Sequence, residues 1–375
     1  MPVPTMRMLA GLAAVVAAAA LSLPGTVGPA EATPLIPLSA PVTWSARLGP
    51  VPKADTHTAP ALTTITLAGG KTRRLLFWTG PVASGGVLQI SYQTSISLRR
   101  NRWSGPGLVD SGKATTQARV AAAPIGAIGS GQVIVVWNEA KASSILYSIG
   151  KAGKGTALTW GPTAAIPGAA TSNGPAVFSA LDSDTIIVAW KVISSDSIDF
   201  VVGKLAGSTA VKWGKIGVIK GAATTTTPAI AEANTGKDTG ALYVFWKTPG
   251  SLGRIDFAAT TDPLPSVPKW TKPRPLPSKV RTPTAPSAQA IGKQLRFPLL
   301  IVFQKAGGST LDYVTLGAHN GVAGPFAVPH IKSANGTAIS PGVLAAQAPA
   351  TLGAARPPDP ENVFYEPFVR PCAGC

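Results

Sequence analysis

"VIVVWNEA", Val133–Ala140, is an apolar run that ends on a tryptophan and turns polar at the next residue. The same pattern returns at "LLFWTG" (Leu75–Gly80), "IIVAWKV" (Ile186–Val192), "LYVFWKTP" (Leu242–Pro249) and "LLIVFQKA" (Leu299–Ala306). The closing aromatic residues stand at 78, 137, 190, 246 and 303, at spacings of 59, 53, 56 and 57. One strand needs no copies, so a unit of about 56 residues repeats along the chain.

Other markers keep the same beat. One is an aromatic residue at Trp44, Trp103, Trp160, Trp213, Trp270 and Phe326. Another is a short apolar–aromatic triplet: Ile90–Tyr92, Ile145–Tyr147, Ile198–Phe200, Ile255–Phe257 and Leu311–Tyr313. A stretch of small residues, such as "TPAIAEA" (Thr227–Ala233), opens each unit. With 40 glycines and 36 prolines between β-branched runs, and no apolar stripe at helical spacing, the chain reads as all-β. Four short strands per unit predict a β-propeller. The second strand occurs five times clearly and once weakly, at "NVFYE" (Asn362–Glu366), which gives six blades in preference to five or seven. The outer strand near Trp44 precedes any first strand, so the N-terminal strand is expected to complete the C-terminal blade and close the ring. No third strand is evident after "NVFYE".

Residues 1–32 stand apart. Arg7 is followed by an apolar segment from Met8 to Leu23 and then by Ala30-Glu31-Ala32, the pattern of a cleaved secretion signal. The expected organisation is a signal over 1–32, one propeller over 33–371 and a tail, 372–375, containing Cys372 and Cys375. The protein is therefore expected outside the cell. No later segment is apolar for long enough to span a bilayer. In an oxidising compartment the two cysteines form a local disulfide; a redox pair lacks a following helix, and a zinc site lacks its second half.

The net charge of +17 survives removal of the signal, which carries Arg7 and Glu31. A charge this high favours anionic surfaces and polymers, or simply keeps the chain soluble. Basic residues are scattered, with "RRNR" (Arg99–Arg102) the densest group, so a dedicated nucleic-acid site is not indicated.

Propeller geometry puts the loops after the second strands on the same face as those joining successive blades. The former begin at Trp78, Trp137-Asn138, Trp190-Lys191, Trp246-Lys247, Phe303-Gln304 and Tyr365-Glu366, while the latter are rich in Thr, Ser and Asn. An aromatic ring beside hydroxyl, amide and ammonium groups suits a sugar, which has an apolar face and a rim of hydroxyls. Trp78, Trp137, Asn138, Trp190, Lys191, Trp246, Lys247 and Gln304 are therefore the candidate ligand-binding residues. The competing reading makes those tryptophans core and the loops solvated turns. No cofactor and no metal set is indicated, and the three widely separated histidines form no cluster.

The form "PA… WK … I-x-Y … W" resembles the secreted sialidase-like (BNR-type) propellers of actinobacteria. It is similar also to bacterial propeller lectins that bind fucose or related sugars in pockets between blades. The resemblance spans nearly the whole chain after the signal and implies the fold more than the ligand. The sialidase motif Phe/Tyr-Arg-Ile-Pro is absent; "LRFPLL" (Leu295–Leu300) places an arginine before Phe-Pro within an expected strand. Asp-boxes are missing too, and "GKGTALTW" (Gly153–Trp160) keeps only a glycine and the tryptophan. Glycoside hydrolysis by another route needs two facing carboxyl groups. The best set is Glu139, Glu366 and Asp55, with His57 nearby, around one blade junction. The expectation is thus a monomeric, secreted lectin-like propeller binding a glycan or cell-wall polysaccharide. The alternatives are a glycoside hydrolase or lyase and a scaffold for proteins or anionic polymers.

Overall fold

In a computed structural model of the chain, the described residues are 55–332, without 57, 83–87, 98–101, 117, 180–182, 235–238, 261–267, 278, 291–298, 308–309 and 317–321, together with 370–371. All of them belong to one compact unit, Ser39–Cys375. Apart from two short 3₁₀ turns, Ala68–Gly70 and Val109–Gly112, their regular structure is strand. No helix among the described residues is long and apolar enough to cross a membrane.

The repeat read in the sequence is a repeat of antiparallel sheets. Blade 2 is typical: Ala121–Ile125, Gln132–Asn138 and Ser144–Ala152 pair in order, and the outer position is filled by Leu158–Trp160 and Ala164–Ala170. Blade 1 starts at Ala61–Thr66, blade 3 at Ala176–Ser179, blade 4 at Ala229–Asn234 and blade 5 at Ser287–Ala290. These first strands lie beside one another in consecutive blades, around the axis of a β-propeller.

The opening stretch decides the fold because of where its alternate side chains go. All seven residues of Gln132–Asn138 are buried. Val133, Val135 and Trp137 enter the cluster shared with blade 1, and Ile134 and Val136 the cluster shared with blade 3. A strand covered on both faces loses its polar alternation and reads as one apolar run. Each fully buried Val, Leu or Ile side chain contributes about 1.5–3 kcal/mol. Four such clusters fill the four junctions between blades 1 and 5.

Outer-strand tryptophans close those junctions. Trp160 stands edge-on to Tyr92 of blade 1 at 5.6 Å, Trp213 to Tyr147 of blade 2 at 5.4 Å, and Trp270 to Phe200 of blade 3 at 5.5 Å. This is the preferred arrangement of aromatic quadrupoles. The tyrosine hydroxyls reach the same strand: Tyr92 accepts from the Leu158 N–H at 3.0 Å and Tyr147 from the Val211 N–H at 3.3 Å. Space for two of these indoles comes from a glycine beneath each. A Cβ on Gly203 would lie 2.6 Å from Trp213 Cε3, and one on Gly150 2.8 Å from Trp160 Cζ3.

One expectation is corrected. Five blades, not six, are formed by the described residues. The segments assigned to a sixth, Trp44 and Asn362–Glu366, lie outside them, as do Cys372 and Cys375. The ring closure expected from the N-terminal strand at Trp44 lies outside the described residues too. Asp55–Thr56 and Arg370–Pro371 pair in parallel over two residues.

Candidate functional site

Two sets of loops meet on one face, as expected from the topology. In blade 2 the Thr171 N–H, where the outer strand ends, donates to the Ser143 carbonyl at 2.9 Å in the turn after the second strand. In blade 3 the Thr224 N–H donates to the Asp196 carbonyl at 2.7 Å. The contact recurs because a threonine ends four outer strands. Thr116, Thr171, Thr224 and Thr282 are completely buried. Each hydroxyl accepts the N–H two residues on, from Ala118, Asn173, Thr226 and Thr284, at 3.1, 3.1, 3.1 and 3.2 Å. These are hydroxyl-closed turns, which set the exit angle toward the next blade. Their spacing of 55, 53 and 58 was visible in the sequence but was read there only as loop polarity.

The candidate tryptophans are not on this surface. Trp78, Trp137, Trp190 and Trp246 are 2%, 0%, 1% and 1% exposed, so stacking of a sugar on their rings is corrected to a packing role. An indole at the end of a doubly covered strand gains more from the neighbouring sheet than from standing in water. Asn138 is buried as well, and its Oδ1 accepts the Thr116 hydroxyl at 2.6 Å, tying the second strand to the turn. Lys247 is sunk in its own loop, with its ammonium donating to the carbonyls of Thr248 (3.4 Å) and Gly250; burial lowers its pKa. Gln304 is also buried. Of the candidates, Lys191 is the one that keeps a group near the surface, 4.0 Å from the Asp196 carboxylate. Beside it the exposed Ser195 and Ser197 hydroxyls bond each other at 2.7 Å. Across the next loop the Asn173 amide donates to the Thr225 carbonyl at 3.0 Å. The polar surface left to a ligand is built from these loops.

Glu139 is half-buried at the start of its turn, where its N–H donates to the Ser144 carbonyl at 2.7 Å. Asp55 lies in the ladder between the chain ends. Glu366 and His57 fall outside the described residues, and so does the expected meeting of the three acids. No group of three or more His, Cys, Asp and Glu placed to hold a metal occurs among the described residues.

Three other carboxylates share one place in the repeat. Asp199, Asp256 and Asp312 stand on third strands directly across from Trp190, Trp246 and Phe303. Arg254 neutralises Asp256 with bonds of 2.7 and 3.1 Å. Burial raises the Asp312 pKa, opposed by Lys305. Asp199 has no such partner: its Oδ1 is sealed and unbonded, and burial raises its pKa above the ordinary 3.8. The folded protein therefore holds a proton there at pH values where the unfolded chain has released it. Stability rises as pH falls through the folded-state pKa, and the cost of the charge is fully present above that value. Asp199→Asn is expected to raise the urea midpoint at pH 7, with the gain gone below about pH 4. Urea titrations at both pH values check this.

The chain matches no protein-family model and no curated protein. The chain is similar to several solved structures. The BP39L lectin from Burkholderia pseudomallei is 18% identical with a TM-score of 0.48, covering 72% of this chain and 69% of that one. The fucose-specific lectin from Aleuria aurantia is 13% identical with a TM-score of 0.45, covering 76% and 100%. A mutant of the NanB sialidase from Streptococcus pneumoniae is 12% identical with a TM-score of 0.45, covering 77% of this chain; the chain spans 63% of that sialidase. The β-propeller architecture itself rests on the repeated sheets and their neighbouring first strands.

Proposed function

We propose that this chain is a carbohydrate-binding, lectin-like β-propeller, exported by its N-terminal leader. It acts on glycans or cell-wall polysaccharide by binding and not by cleavage. The observation that carries the reading is the convergence of two hydroxyl- and amide-rich loop sets on one face, held by the buried threonine turns. Such a surface offers fixed donors and acceptors to a ring of sugar hydroxyls. Contact is made by loop groups around Lys191, Ser195, Ser197 and Asn173, with the tryptophans supporting them from the core. Individual contacts of this kind are weak, and a rigid disc carrying several of them gains avidity for a polymer.

A glycan array followed by calorimetric titration tests the proposal. Dose-dependent binding to a defined set of glycans, without release of reducing sugar, is expected. Release of reducing sugar that disappears in Glu139→Gln would replace this reading with an enzymatic one. An array with no binder would remove it.

A further inference from the structure

The register of the first strands exposes one blade that differs from its siblings. Pairing places Ala59, Arg119, Gly174, Thr227 and Ala285 at the same position, two residues before the first paired residue of blades 1 to 5. Four of these are small and packed; the fifth is an arginine. The Arg119 carbonyl and Cγ press directly on the Gly174 Cα, where any Cβ would collide. Equivalent positions of neighbouring blades therefore touch beside the axis, and the arginine stem runs across this inner belt.

Among the described residues the guanidinium at the end of that stem has no hydrogen-bond or ion-pair partner. Nη1 is closed off from solvent and makes no hydrogen bond. No carboxylate among the described residues stands within ion-pair distance, and Arg119 as a whole is half-buried. Burial pushes its pKa down to about 10 with no opposing charge, which marks a cation held in a poorly solvated place. An unpaired buried charge is costly, and proteins carry one mainly where something else completes it. The two groups nearest in sequence are already used: the Ala118 N–H goes to Thr116, and Thr116 goes to Asn138.

We propose that Arg119 is the anion-recognition residue of this propeller, taking the oxyanion of an acidic glycan at the mouth of the axis between blades 2 and 3. A planar guanidinium presents a pair of donors that match a carboxylate, sulfate or phosphate. One blade in the ring then supplies charge selectivity, while the hydroxyl loops supply contacts to the sugar. The net charge of +17 draws such a polymer toward the surface over long range, and Arg119 fixes one of its charges in place. This inference rests on the carbohydrate-binding reading and names the class of glycan.

The test is calorimetric titration of the full chain with a galacturonic-acid trisaccharide, the neutral galactose trisaccharide and inorganic phosphate. Wild type is compared with Arg119→Ala and Arg119→Lys. Alanine already occupies the position in two blades, so Arg119→Ala is expected to fold and to melt no lower than wild type. The acidic trisaccharide is expected to bind Arg119→Ala about tenfold or more weakly, since a hydrogen bond to a charged group is worth about 1.5–3 kcal/mol. Arg119→Lys, a point charge without the fork, is expected to recover part of that loss. Competition by phosphate would support a general oxyanion site, and its failure to compete would support a site selective for the uronate carboxylate. Equal affinity of wild type and Arg119→Ala for the acidic trisaccharide overturns the inference. If the neutral trisaccharide still binds in that case, carbohydrate binding stands without it; if neither sugar binds wild type, both readings fall.

Discussion

Trp190→Ala is expected to lower the free energy of unfolding by about 3–5 kcal/mol, whereas glycan binding by the fraction that stays folded changes little. The indole is 1% exposed and packs with Ile186, Val188 and the apolar side chains of blade 2. Removing it leaves a cavity at a junction between rigid sheets, which can collapse only if two blades move together. Urea unfolding followed by far-UV circular dichroism measures the loss. A surface tryptophan that stacked on sugar would show the opposite pattern, with stability kept and affinity lost. The same experiment on Trp137, also fully enclosed, repeats the test at the junction with blade 1.

Gly203→Ala is the second change with a large expected effect. Its Cβ would fall 2.5 Å from Val211 Cγ1 and 2.6 and 2.7 Å from two ring carbons of Trp213. Gly203 and Trp213 face each other across the ladder, so the indole must tilt or the outer strand must shift. Either response pulls Trp213 off Tyr147, its edge-on partner in blade 2. Overpacking of this kind costs about 1–3 kcal/mol, and the upper end is expected here because both neighbours are fixed. A lower melting temperature with altered near-UV dichroism is the expected readout. An unchanged near-UV spectrum would mean that the indole had not moved.

The scaffold was largely legible because burial on both faces writes itself directly into composition. Val133–Trp137 could not be apolar at every position unless sheets lay on either side, and the repeat then supplied the neighbours. The outer tryptophans keep the same beat, and three of them cover a ring of the preceding blade. What misled was the residue after each run. Polar Asn138, Lys247 and Gln304 look solvent-facing beside an aromatic ring, yet each is buried, and Asn138 and Lys247 bond within the loop framework. Side-chain polarity does not distinguish a group that meets a ligand from one that closes a turn. The threonines at 116, 171, 224 and 282 carried a second periodic signal that would have pointed to turn closure. Arg119 could not be singled out without register, because only strand pairing shows that its counterparts are small.

The aromatic clasps have a direction. Trp160, Trp213 and Trp270 each cover a ring that belongs to the blade before it in sequence: Tyr92, Tyr147 and Phe200. During synthesis a newly emerged blade therefore presents a bare aromatic flank until its successor has been made. Folding should lag translation by about one repeat, and a ribosome paused inside blade 4 would hold a nascent chain whose third blade is still sticky.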